Sequence, residues 1–237
     1  MANKILLKTT DLTIGHDGRS LCSGISFDIC EGDCIMLCGA NGSGKTTLMK
    51  VLAAKENSPC IRTEAGCECI MIPARIPKVA GFTLREFVRI SCFSKSDLYG
   101  KLSREQEAAM DQAIADLGLM HLADRDISTL SDGEFQKAGI ASALVRKASI
   151  IMLDEPTAFL DAQNRISVLN TLRDICQNRE GKSSGAHMPA VIFSTHDLHD
   201  GLQVCAKVFA IGADGNFHIS EDDTPDSKSA TVSCIFR

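Results

Sequence analysis

The sequence predicts an α/β fold with a parallel sheet flanked by helices, an antiparallel β piece at the N-terminal end and an inserted α-helical subdomain. Three observations predict it. The apolar run CIMLCG at 34–39 leads into a glycine-rich loop and then a helical stretch; two further apolar runs, SIIML and AVIF, alternate with helical stretches; and from about 82 to 130 the periodicity is helical throughout. Strands that read as continuous apolar runs and alternate with helices belong to a parallel sheet covered on both faces.

In chain order, DLTIGH and GISFDI are short β-type pieces separated by the turn residues DGRS, and EGDC closes the second, which predicts a small antiparallel sheet in the first 35 residues. The run CIMLCG follows as a buried strand, and a helix is expected from Lys45 to about Lys55. TLREFVRISCF and SREQEAAMDQAIADLGLMHLADRDI carry apolar residues at helical spacing and form the insert. The segment LSDGEFQKAGIASALV, 130–145, carries Ser131 and, three residues on, Glu134, the spacing of a capping box that starts a helix. SIIMLDEP is the next strand, followed by a helix near 161–177, the polar loop NREGKSSGAHMP at 178–189, the strand AVIFST and a helix from about Asp197. The last stretch, SEDDTPDSKSATVSCIFR, opens polar and turn-rich and is expected to contain a weakly ordered segment.

A chain of 237 residues suits one large domain with its own core. Its 25 Lys and Arg against 30 Asp and Glu leave a net charge of -5, so no overall basic field marks nucleic acid as a partner. The 11 cysteines are odd in number and contain no CxxC, which fits reduced thiols of a cytosolic protein. Cys30, Cys34 and Cys38 fall among strands, and Cys67 and Cys69 are spaced to share a strand face; either group could hold a metal, but small apolar core residues are the commoner use. No apolar run reaches the length of a membrane span, and the N-terminus lacks a signal-peptide pattern, so a protein soluble when isolated is expected.

GANGSGKTT fits G-x-x-x-x-G-K-[ST] from Gly39 to Thr46, a match that chance would produce in about one chain of this length in a hundred, so chance explains it poorly. In this P-loop pattern the main chain of Gly39, Asn41, Gly42, Ser43 and Gly44 cradles phosphate oxygens, Lys45 reaches the β and γ phosphates, Thr46 supplies a magnesium ligand and Thr47 completes the set. A nucleoside triphosphatase also needs a carboxylate for the metal and a group that orients or deprotonates water. The strand IIML ends in Asp154 and Glu155, which suit those two tasks.

With these motifs, LSDGEFQKAGIASAL, IIMLDEPTAFLD and the later STHD, in that order, the chain resembles the ATP-binding subunits of ABC transporters over roughly residues 5–215. The resemblance implies a P-loop NTPase core over 1–81 and 146–218, with the antiparallel β subdomain, a helical subdomain over 82–145 and a tail over 219–237, together one domain over 1–237. It implies an ATPase that binds ATP and Mg2+ and works as a head-to-tail homodimer, in which the loop of one copy and Ser131, Asp132, Gly133 and Glu134 of the other enclose each ATP. Glu155 would be the general base, His196 would contact the γ-phosphate and Asp161 would couple the two sites. Implied partners are integral-membrane permease subunits and, indirectly, a solute-binding protein, with the chain peripheral at the cytoplasmic face of the inner membrane. LSDGE, the following QK and DEPTAFLD look most like importers of iron-siderophore, haem and cobalamin complexes.

Two positions depart from the family. His16 stands where an aromatic residue usually stacks on adenine, and Ala74 stands where a glutamine is expected to touch magnesium and transmit motion to the membrane subunits. The missing glutamine motivates a second function, a soluble ABC-type clamp or assembly scaffold without transport. An unrelated phosphate-binding kinase would leave LSDGE and STHD without roles. At Ser131 the resemblance makes the serine and the Gly133 main chain donors to a γ-phosphate held by the other copy, so Asp132 and Glu134 are expected to point away from it.

Overall fold

The computed structural model describes residues 4–16, 18–54, 58–92, 102–177 and 188–236. The elements run β1 (Ile5–His16), β2 (Arg19–Cys30), β3 (Cys34–Gly39), α1 (Lys45–Ala54), β4 (Ile61–Thr63), β5 (Cys69–Ile72), α2 (Leu84–Ile90), α3 (Arg104–Asp116), α4 (Asp132–Val145), β6 (Ile150–Leu153), α5 (Ala162–Gln177), β7 (Ala190–Ser194), α6 (Leu198–Val204), β8 (Lys207–Ile211), β9 (Phe217–Ile219) and α7 (Pro225–Ser233). The end of the first insert stretch at Phe93 and most of the polar loop, 178–187, lie outside the described residues.

Two sheets result. β1 pairs antiparallel with β2 and with β4, in the order β2-β1-β4; β4 was not legible as a strand, being three residues long. The larger sheet has the order β5-β6-β7-β3-β8-β9, parallel except for the edge strand β9. Because successive side chains of a strand face opposite ways, each continuous apolar run serves two cores. On β3, Cys34, Met36 and Cys38 enter the core that holds the helical insert, whereas Ile35 and Leu37 enter the core under the antiparallel sheet and α1. Val191 and Phe193 of β7 join the first and Ala190 and Ile192 the second. Each fully buried side chain of this size contributes on the order of 1.5–3 kcal/mol. Phe27 lies 4.7 Å from Phe209 and 5.5 Å from Phe217, ring centre to ring centre, which fastens the small sheet to the end of the large one.

The insert's helices are started by reciprocal caps. Thr83 with Glu86, Ser103 with Gln106 and Ser131 with Glu134 each form a capping box, with both orphan N–H groups satisfied locally. The sequence predicts the Ser131–Glu134 box, whereas α2 and α3 are expected from apolar spacing alone.

The tail corrects the expectation of a weakly ordered segment. Residues 225–233 are α7, capped by Thr224, whose side chain accepts from the Ser227 N–H, with Pro225 at the first turn. Lys228 reaches inward to the Cys205 carbonyl (3.0 Å) and pairs with Asp223 (2.9 Å). The Thr-Pro start signal was present, but its polar composition hid the helix.

All 11 cysteines are free thiols, and no group of three or more His, Cys, Asp or Glu among the described residues could hold a metal. Cys67 precedes β5 rather than sharing a strand face with Cys69, although their sulfurs lie 4.0 Å apart. Cys38 and Cys205 are buried, 0% and 3% exposed, and that burial pushes their thiols up to about 12, so little thiolate forms at neutral pH. In the native protein, iodoacetamide should therefore leave both unmodified while urea-unfolded chain is alkylated at each. Peptide mass mapping reads this, and native labelling at the unfolded rate would refute it.

Candidate functional site

The site is assembled at the C-terminal ends of β3, β6 and β7, which lie side by side in the sheet order. β3 ends at Gly39 and α1 begins at Lys45, so the loop 40–44 turns at the helix N-terminus, where unpaired N–H groups and the dipole favour an anion. Gly44 has φ +108 and is wedged under the β1–β2 hairpin, where an added Cβ would come within 3.0 Å of Ile14 Cδ1. A side chain there is excluded both by backbone conformation and by space.

Lys45 is 7% exposed, and its Nζ donates to the carbonyls of Gly39 (2.8 Å) and Ala40 (3.0 Å). Desolvation lowers its pKa, opposed in part by the charges of Glu155 and Asp154. Ser43 Oγ is buried with no hydrogen-bond partner among the described residues. A desolvated ammonium and an orphaned hydroxyl in one glycine loop are donors that fit phosphate oxygens.

Thr46 Oγ1 donates to Asp154 Oδ2 (2.7 Å), which puts two hard oxygen donors together, a set that fits Mg2+. Ser194, at the end of β7 and fully buried, donates to Asp154 Oδ1 (2.9 Å) and accepts from the Glu155 N–H (2.8 Å). This serine was missed from the sequence; a hydroxyl closing the apolar run AVIF was the available signal. Glu155 has φ +48, a left-handed conformation costing on the order of 1–2 kcal/mol for a residue with a Cβ, and the Ser194 bond helps to hold it. His196 Nε2 stands 2.7 Å from Glu155 Oε1. Lys45, Thr46, Asp154, Glu155 and His196, far apart in the chain, therefore converge.

Ser131, Asp132, Gly133, Glu134 and Asp161 form a second group, and among the described residues no hydrogen bond or ion pair joins Ser131–Glu134 to the first. Glu134 Oε2 accepts from the Ser131 N–H and hydroxyl, both at 2.8 Å. Burial acts to raise its pKa, but those two bonds outweigh it and hold the carboxyl below its ordinary value. Asp161 accepts from the Asn164 N–H (2.8 Å) and Nδ2 (3.0 Å), and Asn164 in turn packs on Gly133, where an added Cβ would meet it at 3.3 Å. Asp132 turns to Lys78, whose Nζ lies 2.6 Å from Oδ1.

His16 is exposed at the end of β1, opposite Arg19 and two residues beyond Ile14. Ala74 lines a cavity of about 600 Å³ together with Gln136, Phe135 and Phe159. Within it Gln136, 7% exposed, leaves its Nε2 without a hydrogen-bond partner among the described residues, and Arg75 lies over the Phe159 ring at 4.4 Å.

Residues 22–158 match the family model described as ABC transporter. The aliphatic sulfonates import ATP-binding protein of Streptomyces avermitilis is 29% identical over 205 residues, covering 86% of this chain and 72% of that protein. The cobalamin import ATP-binding protein of Halobacterium salinarum is 28% identical over 228 residues, covering 90% of this chain and 54% of that one. Among solved structures, a metal-chelate type ABC transporter in an inward-facing conformation superposes with a TM-score of 0.80 at 24% identity, covering 97% of this chain and 90% of the other; at that identity the likeness is one of fold.

Proposed function

The chain belongs to the ABC transporter family, and from that premise we propose that it is the ATP-hydrolysing subunit of a bacterial importer that takes up a metal-chelate type solute, an iron-siderophore, haem or cobalamin, through separate permease subunits. The convergence of Lys45, Thr46, Asp154, Glu155 and His196 carries the ATPase reading. For the solute class, the support is the cobalamin relative together with the motif resemblance, against a sulfonate relative of similar identity.

In the proposed mechanism Lys45 exchanges its carbonyl partners for β and γ phosphate oxygens of ATP, and Ser43 and the loop N–H groups take the remaining phosphate oxygens. His16 lies against the adenine. Thr46 and Asp154 would hold Mg2+, which when bound offsets phosphate charge. Glu155 keeps one carboxylate oxygen on His196 and uses the other to accept a proton from the attacking water, while His196 orients the base and the γ-phosphate. Ser131, turning its hydroxyl from Glu134 to the phosphate, and the Gly133 main chain of a second copy close on that phosphate, and Asp161 links the two sites. Among the described residues no helix is long and apolar enough to cross a membrane. In this reading the work is delivered to permease subunits, with the chain peripheral at the cytoplasmic face and a solute-binding protein upstream.

Reconstitution with the candidate permease in vesicles tests this. ATP-driven uptake of a ferric siderophore, haem or cobalamin, with no uptake of an aliphatic sulfonate, is expected. Sulfonate uptake alone would overturn the solute class. An ATPase rate indifferent to the permease would instead support the clamp or scaffold, the reading that Ala74 in the glutamine position favours.

A further inference from the structure

Lys78 lies on the linker between β5 and α2 and makes three contacts around one turn. Its Nζ is 2.7 Å from the Leu130 carbonyl, 2.6 Å from Asp132 Oδ1 and 5.7 Å from the centre of the Phe135 ring. The first two bracket Ser131 on either side. Lys78 keeps 24% of its side chain exposed against 64% for Asp132, so the cation is the better anchored of the pair.

Asp132 sits in the first turn of α4, beside the N–H groups that a helix start offers to an anion. An uncompensated carboxylate there would repel an incoming phosphate by about 1 kcal/mol even in a watery setting. Glu134 has its own donors on Ser131. We propose that Lys78 is a positioning residue for the Ser131–Glu134 turn: it cancels the Asp132 charge and ties the turn to the 73–82 linker, so that the turn can receive the γ-phosphate of an ATP bound by a second copy. This rests on the reading that Ser131–Glu134 acts on the other copy's ATP. The tie also joins the linker to α4 through a side-chain pair, in a chain whose linker carries Ala74 rather than glutamine.

The test uses full-length protein carrying Glu155→Gln, in which slow hydrolysis lets the ATP-bound dimer accumulate, with dimer fraction followed against ATP concentration by sedimentation. Lys78→Ala raises the ATP needed for half dimerisation about two- to fivefold, and Asp132→Gly added to it recovers most of that loss. Lys78→Arg stays within about twofold of the parent, and added salt narrows the Lys78→Ala deficit because the pair is partly exposed. Binding of a fluorescent ATP analogue to dilute protomer, which reports the protomer's own nucleotide site without the second copy, is the same in all of them. A double variant no better than Lys78→Ala, or a Lys78→Ala that matches the parent, overturns the proposal. If the parent itself stays monomeric at saturating ATP, the reading of the turn as acting across the dimer falls, and the proposal with it.

Discussion

Glu155→Gln lowers the rate of ATP hydrolysis about a hundredfold or more, the usual weight of a positioned general base, while ATP still binds. The amide has the volume of the carboxyl, can keep a hydrogen bond to His196, and leaves the Glu155 N–H on Ser194, so the left-handed backbone at φ +48 persists. What is lost is a group able to accept a proton from water. Steady-state phosphate release measured beside nucleotide affinity separates the two effects. A variant that hydrolyses ATP within a few fold of the parent would remove Glu155 from the role of base.

Lys45→Ala weakens ATP binding roughly ten- to a hundredfold, the equivalent of one charge-assisted hydrogen bond at about 1.5–3 kcal/mol. Lys45 is mostly withdrawn from water, and its partners are two main-chain carbonyls that a phosphate can replace. Because burying the ammonium carries a desolvation cost, seen in its lowered pKa, its removal should move the melting temperature far less than the affinity. Calorimetric titration with ATP gives the first quantity and thermal unfolding the second. Unchanged affinity would detach Lys45 from the phosphates, and a collapse of the melting temperature would make it a structural residue.

Much of the fold was legible in the chain. CIMLCG, IIML and AVIF read as strands because full burial on both faces demands unbroken apolar residues, and α2, α3 and α4 start where a Ser or Thr meets a Glu or Gln three residues on. The strands β4 and β9, three residues each, were not readable, since so short a segment is selected by its neighbour's free edge rather than by its own pattern. α7 escaped for a related reason: most of its residues face water, and its place is set by Lys228 reaching the Cys205 carbonyl.

At the candidate site the division is sharper. Gly39–Thr46 and the capping box at Ser131 are local devices, in which residues a few positions apart satisfy one another's backbone, so the amino-acid order alone determines them. The partnerships of Asp154 with Thr46 and Ser194, of Glu155 with His196 and of Asp132 with Lys78 span between 40 and 108 residues of chain. They exist only because the order β6-β7-β3 sets three strand ends side by side and because the linker after β5 folds back on α4. Local geometry can be encoded by neighbours in sequence, whereas the neutralisation of a charge depends on which distant group the packed sheet brings within hydrogen-bonding reach.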